Sequence, residues 1–71
     1  MPSQEQLANW FSYHAPESDQ LEKYARLRDA AHIFAEVINE SCPESADKTA
    51  AIRKVREAVM TANASIACGG K

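Results

Sequence analysis

Two apolar stripes of equal period, separated by a short segment that no helix can cross, set the terms for this chain. Tyr24, Leu27, Ala31, Phe34 and Ile38 step by 3, 4, 3 and 4 residues, and Ile52, Val55, Val59, Ala62 and Ile66 repeat those steps. That is the spacing of one face of an α-helix. Between them lies Ser41 to Ser45, SCPES, where the ring and missing N–H of Pro43 stop a helix from continuing. Two matched stripes joined by so short a connection predict an antiparallel αα-hairpin. Each helix is then roughly 30 Å long at ~1.5 Å per residue.

Local signals place the helix ends. Ser45 is a good N-cap for a helix from Ala46 to about Cys68, and Gly69-Gly70 is a stop signal after it. Asp19 followed by Glu22 has capping-box spacing, which predicts the preceding helix from about Gln20 to Glu40. Ser3 and Gln6 form a further box ahead of a short helix from Gln4 to about Phe11. Pro16 then holds Ala15 in an extended conformation and ends that element. The expected fold is all-α, a short N-terminal helix followed by a long antiparallel αα-hairpin. It forms one domain over residues 1–71, with 1–18 the N-terminal helix and Pro-containing connector and 19–68 the hairpin. No internal repeat, low-complexity stretch or interdomain linker interrupts it.

A chain of 71 residues has little room for a self-sufficient core, since a domain of this size buries only about 60% of its unfolded surface. Disulfides, a metal or self-association are the usual supplements. Cys42 and Cys68 offer at most one bridge, and no CxxC or HxxxH spacing is present. No apolar run approaches the ~20 residues of a membrane span, and no signal peptide is evident. The reading is a soluble, cytosolic chain with reduced thiols. Apolar residues also lie outside the stripes: Ala30, Ile33 and Val37 on one helix, Ala51, Ala58 and Met60 on the other. A lone hairpin leaves these exposed, so the pattern predicts a compact homo-oligomer with a shared core.

The chemistry points to binding and away from catalysis. His14 and His32 lie far apart, neither with a Cys or Ser in a catalytic arrangement. The only glycines are terminal, so there is no phosphate loop, and Glu36/Glu40 reads as a solvated face. No cofactor and no metal is expected. A net charge of −2 argues against long nucleic acid. Lys23, Arg26 and Arg28, with Arg53, Lys54 and Arg56, admit two readings. They are surface charge held in i,i+4 pairs such as Glu22/Arg26 and Arg53/Glu57, or they include arginines reaching from the stripe margins toward phosphate. The aromatic stretch Asn9 to Gln20, NWFSYHAPESDQ, divides similarly. Trp10 and Phe11 read as a lid on the helical pair. Tyr13 and His14 flank the Pro16 break and can project sideways, where rings beside arginine suit nucleobase stacking.

The pattern F-x-Y-H-x-P at Phe11 to Pro16, KYARLRDAA at Lys23 to Ala31, and CPESADKTAAIRKVREAVMTANASIA at Cys42 to Ala67 resembles a phage hairpin family. That family includes the anti-CBASS and Thoeris anti-defence cyclic-nucleotide sponges. The resemblance covers nearly the whole chain beyond Asn9. It implies a hexamer that encloses cyclic di- or trinucleotides between protomers, in the cytoplasm of an infected bacterium, and withholds the messenger from its immune effector without cleaving it. Carried onto this chain, it implies Tyr13 as the aromatic that stacks on a base and Arg28 at the phosphates, with His14, Pro16 and Arg26 as neighbours. The family's M-W-A-N is here Met60-Thr61-Ala62-Asn63. Asn63 keeps the polar residue, which reads either as a ligand contact or as a buried inter-subunit hydrogen bond, and Thr61 replaces the indole. Two other readings stand beside this one. One is a protein-interaction module using Ile33 and Val37 to inhibit or adapt a host protein, and the other is a small cyclic-nucleotide hydrolase.

Overall fold

A computed structural model describes all residues, Met1–Lys71, as three helices: α1 Gln4–Trp10, α2 Ser18–Ser41 and α3 Ala46–Ala67. The loop Cys42–Ser45 turns the chain back, and α2 and α3 pack along their length as the expected antiparallel hairpin. At ~1.5 Å per residue, the 24 residues of α2 span roughly 36 Å.

The caps explain the boundaries. The Ser3 hydroxyl accepts the Gln6 N–H at 3.1 Å while the Gln6 side chain accepts the Ser3 N–H at 2.9 Å, closing the first box. At α3 the Ser45 hydroxyl accepts the Lys48 N–H at 3.1 Å. The far end of α3 closes as a Schellman motif. The Gly70 N–H donates to Ser65 O at 2.9 Å and the Gly69 N–H to Ile66 O at 3.2 Å. Both glycines sit at positive φ, 65° and 76°, where a side chain would be strained. One cap departs from expectation. The Gln20 side chain accepts the Glu17 N–H at 2.9 Å, so α2 starts at Ser18, ahead of the Asp19/Glu22 box. Glu17 itself is extended at φ −86°, ψ 162°. The Pro16 connector therefore passes straight into the cap, and Asp19 falls in the first helical turn, where its charge suits the helix N-terminus.

The stripes face one another, with one correction. Tyr24, Leu27 and Ala31 on α2, and Ile52, Val55, Val59, Ala62 and Ile66 on α3, are partly buried, and Ile38 is buried. Phe34, placed in the stripe by spacing, is 58% exposed. It lies on the rim of the seam, lining an open groove of about 600 Å³ with Leu27, Ala30, Val55, Ala58 and Ala62. Every lining residue of that groove except Lys54 is apolar. Ile33 and Val37 extend the apolar surface outward, 64% and 50% exposed. Two layers of helix thus leave much of the apolar side chain in water, because each helix has only one partner. No helix is long and apolar enough to cross a membrane.

At the loop end a lysine does work that spacing did not reveal. Lys48 is only 8% exposed, and its ammonium donates to the Glu44 carboxylate at 2.6 Å. Its side chain is buried while its ammonium reaches an exposed partner. Cys42 precedes α3 and Cys68 follows it, so a helix of 22 residues, about 33 Å long, separates the two thiols. A bridge within one chain is out of reach, since bonded cysteines need Cα atoms under about 7 Å apart.

Candidate functional site: a basic furrow along the hairpin seam

Polar side chains tie the arm and the first turn of α2 to the end of α3. The Asn9 amide donates to Cys68 O at 3.2 Å and the Gln20 amide to Ile66 O at 3.4 Å, each as a second donor to a carbonyl that also accepts a backbone N–H, from Lys71 and Gly69 respectively. His14 Nε2 lies 2.6 Å from Asn9 O. A carbonyl only accepts, so Nε2 carries the proton, and His14 closes the turn between the end of α1 and Pro16. Trp10 rests at the rim of a shallow surface formed by Thr61, Ala64, Ser65 and Cys68. Phe11, expected to pack with it, is exposed, because α1 ends at Trp10 and the next residue turns outward. Tyr13 is 87% exposed. Its ring is free, as a stacking platform must be, but nothing of its own chain faces it across a pocket.

The arginines are freer than spacing implied. The ion pairs are Asp19–Lys23 at 3.8 Å and Glu44–Lys48 at 2.6 Å, and His32 Nε2 lies 2.9 Å from the Glu36 carboxylate. Neither Glu22/Arg26 nor Arg53/Glu57 forms, and no arginine has an acidic partner. The i,i+4 pairs expected of the arginines are thus absent, while Lys23 among the basic residues is paired, with Asp19. Arg26 and Arg28 also part company. Two residues on a helix are rotated by about 200°, so they cannot share a face. Arg26 lies with Lys23, Leu27 and Ala30 toward the apolar side of the seam, whereas Arg28 lies on the other side.

On that other side, Arg28 and Tyr24 of α2 and Met60 and Asn63 of α3 line a furrow of about 520 Å³, closed toward the arm by Leu21 and Ala67. Asn63 Oδ1 is buried there without a hydrogen-bond partner. Such an orphan costs on the order of 1–3 kcal/mol, so the residue is not explained by the stability of the lone hairpin. Of the six residues singled out from sequence, the structure brings Arg28 and Asn63 together. It leaves Tyr13 and Pro16 exposed on the arm, engages His14 within the arm, and sets Arg26 on the opposite side. It adds Tyr24, which spacing assigned wholly to the stripe although its position one turn before Arg28 was visible. It also adds His32 and Arg56, which line a continuation of the furrow.

Comparison with curated proteins and with solved structures gives no match. The family model of the Acb2/Tad1 hairpin domain matches residues 3–67, which takes in all three helices and ends with the last residue of α3. The chain therefore belongs to the Acb2/Tad1 hairpin-domain family and is an anti-defence protein of helical-hairpin form.

Proposed function

We propose that this protein sequesters cyclic oligonucleotide messengers, cyclic dinucleotides and by extension trinucleotides, and releases them unchanged. The observation that carries this is the furrow in which the guanidinium of Arg28, free of any acidic partner, stands beside the ring of Tyr24 and the amide of Asn63. Arginine offers paired N–H groups to a phosphate, and an aromatic face takes a nucleobase. Tyr13 supplies a second ring from a neighbouring copy, since on its own chain it faces solvent. The assembly is a homo-oligomer, a hexamer by family resemblance, in which a second chain covers Ile33, Phe34 and Val37. Fully burying such side chains contributes about 1.5–3 kcal/mol each. The messenger is held in the cytoplasm of the infected bacterium, so its immune effector stays inactive.

Isothermal titration against cyclic di- and trinucleotides tests this reading. Tight binding by at least one of them is expected, with the intact ligand recovered after the protein is denatured. Recovery of linear products marks a hydrolase, and silence across the panel from a folded chain ends the proposal. Tyr13→Ala is expected to weaken binding by about 10- to 100-fold, the size of a lost base stack.

A second reading rests on the exposed Ile33 and Val37, which suit a partner helix of a host protein. Mass in solution separates the two. A monomer favours the protein-interaction module, and a multiple of the chain mass favours the sponge.

A further inference from the structure

The furrow does not end at Arg28. Toward the loop end of the hairpin it runs into a depression of about 320 Å³, floored by Ala31, Ala35, Val55 and Val59. Arg28 and Met60 line both parts, so the two share a wall. Around the depression stand Arg28 and His32 of α2 and Arg56 of α3, with no acidic side chain in its lining. Glu36, one turn beyond His32, is taken up by that imidazole at 2.9 Å. Acids outnumber lysines and arginines ten to eight in this chain. Yet two guanidiniums from different helices border one depression without a counter-charge. Like charges gathered over an apolar floor repel one another, and an anion between them reverses the sign of that interaction. Guanidiniums on both helices also suit a planar or tetrahedral oxyanion better than lysines, because each offers a fixed fork of N–H donors.

We infer that Arg56 and Arg28 form a second phosphate station, so that one ligand is held along the seam by two phosphates at once. This rests on the cyclic-oligonucleotide reading above and names its requirement: the ligand carries at least two phosphodiesters. The first phosphate sits at Arg28 beside Tyr24 and Asn63, and the second sits between Arg28 and Arg56. His32, held by Glu36, closes the far wall. A ligand gripped at two points gains from the high effective concentration of its second phosphate once the first is bound. A ligand with one phosphate occupies either station and gains nothing from the other.

Calorimetry of the full chain tests this with two probes, the tightest-binding member of a cyclic dinucleotide panel and 3′,5′-cyclic AMP. Arg56→Gln is expected to weaken the dinucleotide by about 10-fold or more, the effect of losing a charged hydrogen-bond donor. It weakens cyclic AMP no more than about twofold, since one of two stations survives. Arg56→Lys, which keeps the charge without the fork, falls between. Circular dichroism and mass in solution establish that each variant keeps its fold and assembly. Equal dinucleotide affinity for the chain and its Arg56→Gln variant overturns the second station while leaving the sponge intact. Equal losses for both probes also overturn it, because they describe a single station. A wild-type chain that binds no cyclic dinucleotide overturns the sponge reading and this inference together.

Discussion

The two sides of the hairpin seam are built from the same two helices and differ in what they lack. One side, from Leu27 and Phe34 across to Ala58 and Ala62, has almost no polar group and continues outward over Ile33 and Val37. The other alternates small apolar residues with Tyr24, Arg28, His32, Arg56 and Asn63. A rotation of about 100° per residue makes this possible, because neighbouring sequence positions fall on different sides. The comparison teaches that a 71-residue hairpin has surface for two tasks only if its core is completed elsewhere. The apolar side suits another helical surface. The mixed side suits a small, anionic, aromatic-stacking ligand.

The widest separation of the two sides comes from placing charge on the apolar one. Ile33→Glu with Val37→Glu is expected to reduce the assembly to single chains in sedimentation, because two carboxylates cannot be buried without partners. Ligand binding that survives unchanged in the resulting monomer breaks the division of labour. Arg28→Gln against Arg26→Gln is the next contrast. Titration is expected to show about 10- to 100-fold weaker binding for the first and no more than about twofold for the second, with mass unchanged in both. Equal losses place the phosphate on both sides of the seam. Asn63→Leu gives the smallest and most diagnostic effect. It removes a buried oxygen that has no partner, so thermal unfolding is expected to hold or rise by up to about 2 kcal/mol. Ligand affinity is expected to fall at the same time. A fall in both makes Asn63 an internal structural contact.

How far the sequence could be read depends on the range of each signal. Ser3/Gln6, Pro43, Ser45 and Gly69-Gly70 act on their own backbone, and each lies at the helix end it marks, whereas α1 ends at Trp10, well ahead of Pro16. The stripes act across one seam, and their facing residues are partly buried as the period requires. Phe34 escaped because a period gives an angle and not a depth. At the rim of a two-helix seam, a stripe position has nothing over it. Glu17 escaped as the cap because Asp19 is the better N-cap residue in isolation, while the Pro16 connector decides where the helix begins. Separation of Arg26 from Arg28 was legible from helical rotation alone. The convergence of Arg28 with Arg56 and Asn63 was not, because it depends on how α3 is registered against α2. The cyclic nucleotide itself came from family resemblance, since free arginines and an aromatic ring specify phosphate and base but no ring of phosphodiesters.

Native mass spectrometry of the chain mixed with a cyclic dinucleotide panel tests the central claim in one measurement. The account predicts a species at a multiple of 7.8 kDa carrying added mass equal to whole, uncleaved cyclic dinucleotides. A bare 7.8 kDa monomer in the presence of every ligand in the panel would contradict it.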